Sequence, residues 1–71
     1  MKKYMELVTK MSNQTSIEDL NLHYGIAEGY LECLDDQKLI SHDEYINHYK
    51  ALVKEYWLRY EELEHKGRRA A

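Results

Sequence analysis

Between Ile17 and His48 stand eight carboxylates, Glu18, Asp19, Glu28, Glu32, Asp35, Asp36, Asp43 and Glu44, against a single base, Lys38. With His counted neutral this block carries −7, while residues 1–16 and 49–71 carry +2 each. Carboxylates can ligate a metal, move a proton or pair with cations on another molecule. Metal ligation asks for converging partners. None of the four histidines, His23, His42, His48 and His65, has a second histidine at the i+4 spacing that shares a helix face, and no second cysteine accompanies Cys33. No metal and no cofactor are expected. Acid–base catalysis asks for a positioned pair in a concave site, for which a helical chain of 71 residues has little room, so no enzyme is expected either. Pairing with cations remains. Glu28, Glu32, Asp35 and Asp36 fall within about three helical turns and can form one acidic patch. Such a patch attracts basic protein surfaces and opposes phosphates, making nucleic acid an unfavoured partner.

The aromatic set is the second chemical feature. There are seven Tyr, one Trp and no Phe. Tyr and Trp anchor interfaces because they combine a large apolar body with a polar tip. Tyr49, Tyr56, Trp57 and Tyr60 are the expected oligomer interface, on a helix whose apolar face is too wide for so short a chain to cover. Cys33, beside Leu34 and one turn after Tyr30, reads as a small apolar residue on a buried face.

These residues need elements to hold them. The absence of Pro and a charged fraction of 32% read as helical. Tyr4, Met5, Val8 and Met11 recur at helical spacing and predict a short helix over about 2–11. Residues 12–16, Ser-Asn-Gln-Thr-Ser, are a polar connection with two candidate N-caps. Thr15 with Glu18 has the capping-box form, and Ser16 with Asp19 a weaker version of it. From Ile17 the apolar positions 17, 20, 24, 27, 31 and 34 alternate steps of three and four, a seam along a helix of about 17–37. Ile26, Tyr30 and Cys33 widen it. Ser41 and Glu44 make a second capping box, with Ile40 and Tyr45 placed for a hydrophobic staple. Asp43 and Glu44 suit the positive end of the helix dipole. The last helix is expected over about 42–65, with Gly67 as its stop and 66–71 as a frayed tail.

Two resemblances follow from these spacings. Leu20–Leu34 resembles a helix-turn-helix, with Gly25 as the turn glycine and Leu20, Tyr24, Ile26, Leu31 and Leu34 at its buried positions. The sequence departs from that motif at Asn21, where a small apolar residue is usual, and its second helix would present Glu28, Glu32, Asp35 and Asp36 to phosphate. Leu31-x-x-Leu34, followed by Lys38-Leu39-Ile40-Ser41-x-x-Glu44-Tyr45, resembles the helical hairpin of short C-terminal (SHOCT) domains. Those domains usually carry Gly at the turn, where this chain has Lys38. That resemblance implies a hairpin and no activity.

The sequence therefore predicts a single all-α domain over 1–71: an antiparallel helical hairpin with a short N-terminal helix, dimeric as a helical bundle. With no apolar run near the roughly 20 residues of a membrane span and no signal-peptide pattern, a soluble cytoplasmic chain is expected. Its expected role is that of a small regulator or inhibitor, a non-enzymatic module binding a basic surface on a larger protein, with nucleic-acid-binding proteins among the candidates. Accessory products of phages and mobile elements offer an analogy by size and charge. One alternative is a nucleic-acid-binding regulator using Lys2, Lys3, Lys10, Lys50, Lys54, Arg59, Lys66, Arg68 and Arg69. The other is a purely structural assembly subunit.

Overall fold

The computed structural model contains three helices, α1 (Lys2–Ser12), α2 (Ile17–Asp36) and α3 (His42–Ala70). The side chains described are those of residues 1–65. The bounds of α3 pass Gly67, the expected stop, and the expected tail at 66–71 lies outside the residues whose side chains are described. Among the described residues there is no strand, and no helix is long and apolar enough to cross a membrane.

The connections are local chemistry. Ser16, in extended backbone at φ −134° and ψ 154°, is the N-cap of α2, and its hydroxyl accepts the N–H of Asp19 at 3.1 Å. The cap is thus Ser16 and not Thr15, which stands one residue too early to reach an orphan N–H of the first turn. At its other end α2 closes with Gln37 as C-cap, the Lys38 N–H on Asp35 O (3.0 Å) and the Leu39 N–H on Leu34 O (2.9 Å). That pair of bonds is the Schellman arrangement, which requires a left-handed residue after the cap. Lys38 supplies it, at φ 57°. Three residues on, the capping box is reciprocal. The Glu44 N–H donates to Ser41 Oγ at 3.1 Å, and the Ser41 N–H donates to Glu44 Oε1 at 3.0 Å. Hydrogen bonds from Ser41, its backbone N–H first, hold the Glu44 carboxyl below its ordinary pKa.

The helix-turn-helix reading requires a break at Gly25. Instead α2 runs unbroken through Gly25 and Gly29, and no described glycine has positive φ.

The core is small. Tyr4, Met11, Leu20, Ala27, Leu31, Leu52 and Leu63 are buried, with Leu7, Val8, Ile17, Tyr24, Leu34 and the tyrosines of α3 packed around them. All six positions of the predicted α2 seam face inward. The residues expected to widen it divide. Tyr30 is half-buried against the core, whereas Ile26 is 45% exposed and Cys33 is exposed. Cys33 lies two residues from buried Leu31, about 200° around the helix, so its neighbours in sequence do not set its face. Its recorded neighbour is Gln37, whose Nε2 donates to Sγ at 3.3 Å. On α1, Met5, expected on the apolar face, is exposed, and Leu7 packs inward.

Contacts between α2 and α3 step outward from the turn on both helices. Asp35 lies 3.7 Å from His42, and farther along Tyr24 meets Tyr56 with ring centroids 4.8 Å apart. Tyr56 also donates to Asn21 Oδ1. The short α1 is fixed to α3 at two points. The Tyr4 hydroxyl donates to the His48 carbonyl at 3.3 Å, and Arg59 Nε donates to the Gln14 carbonyl at 2.9 Å while its Nη1 pairs with Glu62 at 3.0 Å.

Candidate protein-interaction surface

Helical periodicity decides where the acids sit. Ala27, Leu31 and Leu34 face the core, so Glu28, Glu32 and Asp35, each one residue later in its turn, emerge along one edge of α2. Glu28 and Asp35 are half-buried at that edge, while Glu32 and Asp36 are exposed. The four predicted residues therefore form one stripe, with Asp36 on its outer border. Among the described residues none of them pairs with a Lys or Arg. The one ion-pair contact is Asp35 with His42 at 3.7 Å, an attraction that exists when His42 is protonated.

The opposite bank of this stripe is aromatic. Tyr45, Tyr49, Tyr56 and Tyr60 run along α3, with ring centroids 6.0 Å apart for the pairs 45–49 and 56–60. Tyr24 of α2 inserts against Tyr56. Burial raises the phenol pKa of Tyr45, and the charges of Glu32, Asp35 and Glu28 raise it further. The Tyr24 phenol is pushed well above its ordinary value by burial first, then by hydrogen bonding with Tyr49 and Glu28. Burial is the larger cause of both shifts, and the nearby carboxylates add to it by disfavouring a second negative charge. His42 stacks on Tyr45 at 5.9 Å and closes the end of the stripe near the turn.

The predicted oligomer residues do not share one free face. Tyr49, Tyr56 and Tyr60 are half-buried against the chain's own core. Trp57 points away and is 53% exposed. Sequence periodicity could not separate them, because an apolar set this wide fits both one broad internal face and two faces.

Among the described residues no three of His, Cys, Asp and Glu gather where they could hold a metal. A groove of about 370 Å³ between α1 and α3 brings Ser12, His48 and Glu55 together with Met5, Val8 and Leu52. No recorded hydrogen bond links those three polar side chains, and the His48 ring rests edge-on against Tyr4 at 5.5 Å. That geometry gives no activated nucleophile. A row of carboxylates without a described Lys or Arg partner, beside phenol rings, instead suits cationic side chains, which gain both charge pairing and contact with aromatic faces.

Comparison with known proteins finds no matching family model, no similar curated protein and no similar solved structure.

Proposed function

We propose that this chain is an antiparallel helical hairpin, braced by α1, that works as a non-enzymatic protein-interaction module. Its acidic stripe, Glu28, Glu32, Asp35 and Asp36, binds a basic surface on a larger protein, and by occupying that surface regulates or inhibits it. One observation carries the reading: four carboxylates in a row, none neutralised by a Lys or Arg among the described residues, of which Glu28, Glu32 and Asp35 lie near tyrosine rings. Like charges held together are mutually repulsive, and a cationic partner relieves that repulsion on binding. The contacts that step outward from the turn on α2 and α3 support the hairpin. A basic surface shaped to hold nucleic acid is a natural fit for such a stripe, and the reading places the module in the cytoplasm with such a protein.

The test is a pull-down with nuclease-treated lysate, run in parallel with wild type and with Glu32→Lys/Asp36→Lys. Both positions are exposed, so helicity should be unchanged. A protein retained by wild type, lost on charge reversal and released as salt rises supports the proposal. Retention unaffected by the reversal refutes it. A gel shift with duplex DNA separates the alternative. Submicromolar DNA binding abolished by Lys66→Ala/Arg68→Ala/Arg69→Ala would favour the basic-termini reading.

A further inference from the structure

A second surface lies beside the first on α3 and does not depend on it. Ile46, Val53, Trp57 and Tyr60 stand at i, i+7, i+11 and i+14, a heptad spacing that places them in one stripe. The stripe borders the seam that packs inward through Tyr45, Tyr49, Leu52, Tyr56 and Leu63, and Tyr60, half-buried against the core, is shared by both. Ile46 and Val53 are half-buried yet do not belong to the core cluster, and Trp57 is open to solvent. The short helix α1 does not cover the stripe. α1 meets α3 at His48, and the 13–16 connection meets it at Arg59, positions about 120–180° around the helix from Val53 and Trp57. The Trp57 ring is braced edge-on by Tyr56 at 5.2 Å and by Tyr60 at 5.3 Å, so its exposed face is held in position. A rigid, half-exposed Trp at the centre of an apolar stripe has the character of an interface anchor.

Charge on the stripe selects the occupant. Lys50 falls between Ile46 and Val53, and Glu61 lies beyond Trp57 on the same side of the helix. Both are exposed, and neither has an ion pair among the described residues. A parallel copy would set Lys50 on Lys50 and Glu61 on Glu61. An antiparallel copy sets Lys50 against the second copy's Glu61 and Val53 against the second copy's Trp57. Both pairings straddle the same point, near position 55, so one two-fold axis satisfies them together. We infer that α3 pairs antiparallel with α3 of a second copy through Ile46, Val53, Trp57 and Tyr60, with Lys50 and Glu61 fixing register and direction. A core of seven buried residues among those described gains apolar cover in this way.

Sedimentation velocity over a micromolar concentration series tests the pairing, with emission of Trp57, the one tryptophan, as a second signal. Wild type should sediment at twice the chain mass of 8.6 kDa. Trp57→Glu should return the monomer with unchanged circular dichroism. Lys50→Glu and Glu61→Lys should each weaken the dimer by about tenfold, since each change turns two attractive pairs repulsive. The double reversal should restore it. A wild-type monomer across the series overturns the inference. So does a dimer indifferent to Trp57→Glu. A double reversal that stays as weak as the singles also overturns it, because Lys50 and Glu61 are too far apart within one chain to compensate there.

Discussion

Lys38 holds the left-handed position that ends α2, and replacing it isolates the cost of that conformation. The residue has φ 57°, and the two bonds around it, Lys38 N–H to Asp35 O and Leu39 N–H to Leu34 O, leave no other conformation for the turn. An L-residue in the left-handed region pays about 1–2 kcal/mol, which glycine avoids. Glycine in turn has more freedom to lose on folding, about 0.5–1 kcal/mol relative to alanine. The difference predicts that Lys38→Gly is about 0.5–1 kcal/mol more stable than Lys38→Ala, which keeps the strain. Relative to wild type the gain is smaller, because Lys38 places a positive charge at the negative end of α2, worth about 0.3–1 kcal/mol. For a domain of this size 1 kcal/mol moves Tm by about 4–8 °C, so the Gly–Ala difference is measurable in thermal unfolding followed by far-ultraviolet circular dichroism. Protein concentration must be held fixed, since any self-association shifts Tm. If Lys38→Gly melts no higher than Lys38→Ala, the left-handed turn is not where the chain closes α2.

Other expectations follow from the same geometry. Ser41→Ala removes the acceptor for the Glu44 N–H and should cost about 1 kcal/mol in urea unfolding. The Glu44 carboxyl is held below its ordinary pKa of 4.5, so its stabilising effect is complete above that value and is lost as pH falls through the lower folded one. Wild type should accordingly lose more stability than Glu44→Gln between neutral pH and pH 3. Gly25→Ala and Gly29→Ala should each stabilise by up to about 1 kcal/mol, because both glycines are helical and a Cβ on either meets nothing within 4 Å. A lower melting temperature for either variant would reveal a close neighbour absent from the single chain. Cys33 should react with a thiol reagent in the folded protein as fast as a small exposed thiol does, and slow reaction would return it to a buried face.

What the sequence made legible was local or periodic. The α2 seam shows because its steps of three and four have one solution on a helix, and all six of its residues face inward. The box at Ser41 and Glu44 shows because its donors and acceptors lie within three residues of each other. Errors arose where adjacency in sequence stood in for direction in space. Cys33 and Ile26 border residues that pack inward but project from the far side of α2, and Met5 is exposed on α1. The capping-box form favoured Thr15, whereas Ser16 is the residue in extended backbone that caps α2. The left-handed turn was visible in outline, because the hairpin that residues 31–45 resemble usually has glycine where Lys38 stands. Two exposed helical glycines have no account in the contacts of the single chain.

The candidate surfaces follow from where α1 lies. Eleven residues long, α1 reaches α3 at His48 and, through the 13–16 connection, at Arg59, and so covers one flank of the α2–α3 contact. The other flank has no third helix. There the edge of α2 is acidic, and that of α3 is aromatic and then apolar. A third helix packed on that flank would have to bury Glu28 and Asp35 against it, and burying an unpaired carboxylate costs far more than covering Ile46, Val53 and Trp57 would return. The same carboxylates that keep this chain's own helices away leave the flank open to something that brings cations. This places both proposed contacts on one side of the molecule. The Lys50–Glu61 pairing then matters twice, because a copy laid antiparallel along the apolar stripe runs beside the acidic one. If both contacts form, reversing Lys50 should weaken partner capture only as far as it weakens the dimer, whereas reversing Glu32 and Asp36 should abolish capture and leave sedimentation unchanged.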